Sequence, residues 1–407
     1  MIAIAMEEWD LHKRIALRII SWLGGNPSSI ITGFMISTAF ISMWISNTAT
    51  AILMLPIGLS IIKKLEDQYG KEQTHNFSVT LLLAIAYACT LGGITTLVGT
   101  PPNLVFVKTF SILFPDAPQI SFGSWMMFGI PIALLMLVFS SLMLSRFYFK
   151  IDNHIKIDKE FVIEEYKKLG KITFEQKAVS LVFLMTALLW IFRTDLNLGL
   201  FILPGWSRIL PFPEFVNDGT VAVTMAVILF LIPSKSGHRA LLDNSVFKKI
   251  PWNIILLFGG GFALAHGFTS TGLAAIIGEQ LSGLLGLNPI LLIIIIASLV
   301  TYLSELASNT AITQMILPIL ASAGIALGIN PLLLMLTGTI ASSMGFMLPV
   351  ATPPNTVVFS SERIKITEMV KAGFVLNIAG IVIITLIVYF LGDLIFDLQI
   401  FPEWAGK

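Results

Sequence analysis

The sequence predicts an all-α polytopic membrane protein made of inverted repeats, with two re-entrant helical hairpins and two Pro-Pro-broken transmembrane helices. Composition, long charge-free runs and a duplicated pair of polar motifs carry that reading. Of 407 residues, 56% are hydrophobic and 12% charged. Mean hydropathy is +0.87, and soluble domains carry roughly 25% charged residues. No Asp, Glu, Lys or Arg occurs from Ile19 to Ile62, from Ser78 to Val107 or from Leu306 to Ser361. A bilayer crossing takes about 20 apolar residues, so each run holds more than one membrane segment.

In chain order, the start "MIAIAMEEWDLHKR" has no basic region before its apolar residues and does not read as a cleavable signal peptide. The first charge-free run contains "WISNTATAILMLPI", residues 44–57. Ser and Asn favour helix N-caps, so Ser46-Asn47-Thr48 suits the tip of a hairpin. A basic loop at 63–76 follows, and then an apolar run ending in "VGTPPN", residues 98–103. Proline removes a backbone donor and restricts the residue before it, so Thr100 to Asn103 interrupts a membrane helix. Loops 146–177 and 234–250 are rich in Lys and Arg and read as cytoplasmic, whereas 195–218 offers only Arg208 and reads as outside. Helices over about 178–194 and 219–233 join those faces, and residues 160–177 read as a charged helix lying at the interface.

The second half repeats the first. "ELASNTAITQMILPI", residues 305–319, matches the first hairpin motif at an offset of 262, with Ser304 paired to Ser42. "VATPPN", residues 350–355, then mirrors "VGTPPN". Internal repeats inserted in opposite senses are a common plan of secondary transporters. The basic loop after the first triplet, against the uncharged "ASAGIALGINP" after the second, supports that inversion. The helices from Ala178 that precede the second triplet have no counterpart in the first half, so either the repeats are unequal or, as repeat symmetry favours, about 80–90 further residues belong upstream.

These motifs suit binding. Unwound backbone within a bilayer is tolerated where protein buries it or it lines a cavity. Helix N-termini favour anions, while carbonyls and hydroxyls surround a hard cation such as sodium. Ser42 and Ser46, and likewise Ser304 and Ser308, stand one helical turn apart in sequence and are expected to aim oxygens at one point. Interhelical hydrogen bonding is the ordinary role of such residues in membrane helices, but duplication beside duplicated Pro-Pro breaks favours a site. Glu305, three residues before Ser308, reads as a helix-end or interfacial carboxylate, and His266 as a hydrogen-bonded packing residue. Gly259 to Gly261 form no phosphate loop, since no Lys follows. Trp22, Trp44, Trp125 and Trp252 read as interface anchors or packing residues. No nucleophile with a base and no His/Cys metal spacing appears, so neither an enzyme nor a cofactor is expected. The net charge of +1 gives no reason for a nucleic-acid partner, and the lone Cys89 excludes an intrachain disulfide.

With its paired Ser-Asn-Thr and Thr-Pro-Pro-Asn motifs, the chain resembles the divalent anion/sodium symporter family of sodium-coupled dicarboxylate, citrate and sulfate carriers, from "LHKRIALRI" at 11–19 to the final helix. The resemblance implies an 11-helix protomer in the cell membrane, a homodimer, and elevator movement of a transport domain. It divides the chain into scaffold (1–25), first transport repeat (26–149), interfacial linker (150–177), scaffold helices (178–285) and second transport repeat (286–407). It implies one sodium site from Ser42, Ser46, Asn47 and Gly99, and another from Ser304, Ala307, Asn309 and Ala351. Substrate would meet Asn47, Thr48, Thr100 and Pro101 on one side and Asn309, Thr310, Thr352 and Pro353 on the other. The substrate expected is a divalent anion, foremost a C4-dicarboxylate such as succinate. Alternatives are a sodium-independent dicarboxylate exchanger or a citrate or sulfate symporter, and, from other classes, an ion channel or an inactive fragment.

Overall fold

The computed structural model describes residues 1–23, 26–150, 159–197, 201–237, 240–273, 276 and 286–406. The domain boundary expected at 285/286 thus falls partly outside the described residues. Short helices α1 (Ile2–Glu8) and α2 (Leu11–Leu23) lead into α3 (Pro27–Ser42) and α4 (Asn47–Tyr69). These two are the arms of the first hairpin. Next come α5 (Lys71–Ile94), α6 (Pro101–Leu113) and α7 (Phe122–Leu142), which continues as a π-helical turn to Tyr148. The middle of the chain supplies α8 (Lys159–Lys168), α9 (Phe174–Ile191), α10 (Asp218–Leu231), α11 (Val246–Lys249) and α12 (Trp252–Ser270). The second hairpin is α13 (Pro289–Ser304) and α14 (Asn309–Ala326). It is followed by α15 (Pro331–Ser342), α16 (Pro353–Phe359) and α17 (Ile366–Leu386). Among the described residues, six helical segments, α7 and α17 with their π-helical extensions among them, are long and apolar enough to cross a membrane.

Each hairpin and each Pro-Pro break lies where the motifs predict. Asn26 caps α3 by accepting from Ser29 N at 2.7 Å, and Pro27 takes the first turn, a position where a missing N–H costs little. Pro101 and Pro353 do the same for α6 and α16. The expected interfacial helix is shorter than 160–177. Gly170, at φ +65°, stands just beyond α8, and Thr173 then starts α9 with a reciprocal capping box to Gln176. Buried Arg14 binds the carbonyls of Leu169 and Gly170 there, tying the end of α8 to α2.

The interior of the fold is built on α5 and α15. Every residue of α15, and every residue of α5 from Phe77 to Ile94, is buried. In α5, small residues let neighbours approach closely: a Cβ on Gly92 would lie 2.2 Å from the Ala39 carbonyl oxygen of α3. The hairpin arms α3 and α4 pack on α5, and α13 and α14 pack on α15. The halves also cross: α14 lies against α6, and α16 against α4 and α5. At that crossing Tyr87 meets Phe346 edge to face at 5.2 Å. Outer faces stay apolar, with Leu134, Leu135 and Val138 of α7 and Ile378, Val382 and Leu386 of α17 exposed. Such faces suit lipid.

Of the four tryptophans expected as interface anchors or packing residues, Trp22 and Trp252 are exposed, whereas Trp125 is fully buried and donates to the Ile94 carbonyl at 3.0 Å. Trp44, at the first hairpin tip, contacts Phe183 of α9 at 5.1 Å and Phe122 at 6.2 Å. His266 lies on the exposed side of α12.

Candidate site at the hairpin tips and helix breaks

In the first half, α3 ends at Ser42, and Ser46 is the non-helical N-cap of α4, accepting from Ala49 N at 3.3 Å. The two serines therefore belong to different arms, and the expected one-turn relation on a single helix is not realised. The tip residues between them leave helical geometry, which i to i+4 spacing cannot register. Asn47 brings the parts together instead. With its amide turned to face acceptors, it donates to Ser42 Oγ at 2.6 Å and to the carbonyls of Cys89 at 3.1 Å and Gly99 at 3.3 Å.

The tip is fastened to the break by Thr96, which donates from Oγ1 to the Met43 carbonyl at 2.5 Å and accepts from Gly99 N at 3.0 Å. Asn103, the last residue of the first Pro-Pro motif, closes the break from behind. Its Nδ2 reaches the carbonyls of Gly93 at 3.2 Å, Ile94 at 3.3 Å and Thr96 at 2.7 Å. Thr100, the N-cap of α6, is buried, and Thr48 is half-buried on the first turn of α4.

The second half repeats this construction. Asn355 donates to the carbonyls of Gly345 at 3.2 Å and Leu348 at 3.0 Å. By the spacing of the two motifs these are the counterparts of Gly93 and Thr96. Thr352 caps α16 by accepting from Asn355 N at 3.3 Å. Ser308 stands at the N-cap of α14 without a side-chain cap bond, and Thr310 lies buried on the next turn. Ala307 and Ser308 are exposed at the tip, while Ser304 and Ala351 are buried.

Two glycines missed at the sequence level organise the site. A Cβ on Gly93 would lie 2.5 and 2.9 Å from the terminal atoms of the Asn47 amide. A Cβ on Gly99 would in turn lie 2.5 Å from the Gly93 carbonyl oxygen. A Cβ on Gly345 would lie 3.1 Å from Ala351 Cβ, 3.6 Å from the Ser304 carbonyl oxygen and 3.6 Å from Thr352 Cγ2. Gly93 and Gly345 are thus where each tip meets its break. Their only signal in the sequence is that each stands ten residues before a motif Asn.

These arrangements gather uncharged oxygens where helices end. Asn309 Oδ1, Ser343 Oγ, Asn103 Oδ1 and Asn355 Oδ1 are buried with no hydrogen-bond partner. A buried oxygen without a donor is costly, and a hard cation satisfies such an oxygen. A cavity of about 500 Å³ reaches the first tip, lined by Trp44, Ser46, Gly99, Pro101 and Phe258 among others, and by no acidic or basic side chain. A larger one, about 720 Å³, is lined by Arg208, Asp397 and Trp404 among others and contains none of the motif residues. Among the described residues no hydrogen bond joins the first triplet to the second.

The sodium:sulfate symporter transmembrane region, as a family, matches residues 1–398. The sodium-dependent dicarboxylate transporter SdcS of Staphylococcus saprophyticus is 42% identical over 398 residues, which span 96% of this chain and 74% of that protein. SdcS of Staphylococcus aureus strain MRSA252 is 41% identical over 407 residues, spanning 98% and 76% respectively. The crystal structure of the YdaH transporter of Alcanivorax borkumensis aligns with a TM-score of 0.59 at 12% identity, covering 98% of this chain and 86% of that one. That likeness concerns the fold alone. With its duplicated tips and breaks, a family match across residues 1–398 and relatives at 41–42% identity, this multi-pass membrane protein belongs to the divalent anion/sodium symporter family of transporters.

Proposed function

We propose that this chain is a secondary active transporter of the cell membrane that couples sodium entry to uptake of a divalent anion, foremost a C4-dicarboxylate such as succinate. The observation that carries the reading is the pair of matching tip-and-break units, rich in buried, uncharged oxygens and free of basic side chains in their motifs. Sodium would be held by Ser42, Ser46, Asn47 and Gly99 in the first unit, and by Ser304, Ala307, Asn309 and Ala351 in the second. The helix N-termini at Asn47 and Asn309 present free N–H groups and partial positive charge, while those at Thr100 and Thr352, whose first two helical residues are prolines without an N–H, offer the helix dipole alone. Thr48, Thr310, Pro101 and Pro353 complete the anion's surroundings.

Without a fixed counter-charge, the dianion binds well only after the cation has offset its charge. Coupling is then the difference in substrate affinity between sodium-loaded and sodium-free states. Residues 26–149 and 286–407 would move together as an inverted pair against a scaffold of 1–25 and 178–285, linked by 150–177, in a homodimer. The SdcS relatives, which are sodium-dependent dicarboxylate transporters, support sodium and dicarboxylate as the pair.

Equilibrium binding of labelled succinate to the purified protein tests this. Binding should appear in sodium and vanish in potassium or choline. Equal binding in every cation would instead favour the sodium-independent exchanger, and displacement by citrate or sulfate alone would reassign the substrate.

A further inference from the structure

The two units share a plan, and the sharpest chemical difference between them is a buried carboxylate. Glu305 is the counterpart of Met43 in the first tip. It is 3% exposed and stands at the end of α13, as its C-cap in the second tip. Its Oε1 accepts from Phe346 N at 2.8 Å, Met347 N at 2.9 Å and Asn377 Nδ2 at 2.7 Å. Its Oε2 accepts from Met347 N at 3.1 Å and Leu348 N at 3.0 Å. Successive backbone N–H groups of this kind form a concavity that receives an anion, and here the protein's own side chain fills it. With both oxygens occupied by donors, the carboxylate serves the backbone.

The first unit shows what that replaces. There α5 runs on through Ile94, the counterpart of Phe346, so the helix itself satisfies that amide. In the second unit α15 stops at Ser342, four residues short of Phe346, and the freed amides turn to Glu305. The first tip is joined to its break by the Met43 carbonyl and Thr96; the second is joined by a charge.

We infer that Glu305, seated by Asn377 of α17, is the positioning residue that holds the second broken helix unwound, and so sets the geometry of Ser304, Ala351 and Thr352 about Gly345. The inference rests on the proposed function only for what that geometry binds. Glu305 touches neither ion nor substrate in this scheme. It acts through the loop from Ser343 to Thr352, and the first unit has no such dependence.

Glu305→Gln in the full-length chain tests this with two readouts. Hydrogen exchange in peptides covering 343–352 should accelerate by about tenfold or more, while peptides covering 95–100 stay at the wild-type rate. In proteoliposomes the sodium concentration for half-maximal uptake should rise by about tenfold, with succinate KM at saturating sodium within about threefold of wild type. Unchanged exchange at 343–352, or equal acceleration in both segments, would overturn the inference. So would wild-type sodium dependence in a protein that transports. If Glu305→Gln does not fold, Asn377→Ala, which removes one donor and leaves the backbone bonds, should move the same readouts in the same direction by a smaller factor; no movement overturns the inference. The exchange measurement needs no transport, so a wild-type chain that fails to carry succinate removes the functional reading while the exchange result still decides the role of Glu305.

Discussion

Gly93→Ala is the sharpest perturbation of the first unit. The added methyl would sit 2.5 and 2.9 Å from the two terminal atoms of the Asn47 amide, where an ordinary separation is roughly 3.5 Å. The side chain of Asn47 must withdraw by about 1 Å, because Gly93 itself lies in the fully buried part of α5. Withdrawal weakens the bonds from Asn47 to Ser42 Oγ, Cys89 O and Gly99 O, each contributing about 0.5–1.5 kcal/mol. Losing half of that total costs about 1.5 kcal/mol, or roughly tenfold in affinity for whatever the arrangement binds. Sodium titration of succinate uptake should therefore shift to about tenfold higher concentration, with the protein still eluting as a single species. Gly267→Ala is the control, since nothing lies within 4 Å of its added carbon, and it should transport as wild type. A Gly93→Ala protein with wild-type sodium dependence would refute the reasoning that Asn47 assembles the first cation site.

Two further substitutions separate site from scaffold. Asn47→Ala and Asn309→Ala should each abolish sodium-coupled uptake in a folded protein, read as uptake per monodisperse molecule; normal uptake in either would remove that unit from the site. Arg193→Gln should lower stability instead. Arg193 is 5% exposed and pairs with Asp218 at 2.6 Å while also donating to the Val216 carbonyl. Removing one partner of a largely buried pair costs about 2–4 kcal/mol, visible as a lower melting temperature in detergent, with sodium dependence of uptake unchanged in the molecules that remain folded.

The tips and breaks were legible in the sequence because their chemistry is local. Pro101 and Pro353 favour the first turn of a helix, Ser46 caps α4, and duplication marks all of them at once. What stayed hidden depends on approach between distant segments. Gly93 and Gly345 matter because of what a Cβ would strike, and Asn377 because α17 carries it to Glu305, 72 residues away in sequence. Glu305 was visible as an oddity, but its partners are backbone amides, which no side-chain pattern announces. The serine spacing misled for a physical reason: four residues make one turn only where the chain is helical, and Met43 to Ser46 are not. The interfacial helix was overextended because Gly170 and the Thr173 capping box were read as parts of one charged segment.

Sodium entry driving anion uptake through these two units can be read from labelled succinate uptake into proteoliposomes containing this chain, with an inward sodium gradient against potassium or choline. Accumulation above the external concentration is expected in sodium alone, collapsing when an ionophore dissipates the gradient. Uptake that proceeds equally in every cation, or that never exceeds equilibration with the gradient intact, would contradict it.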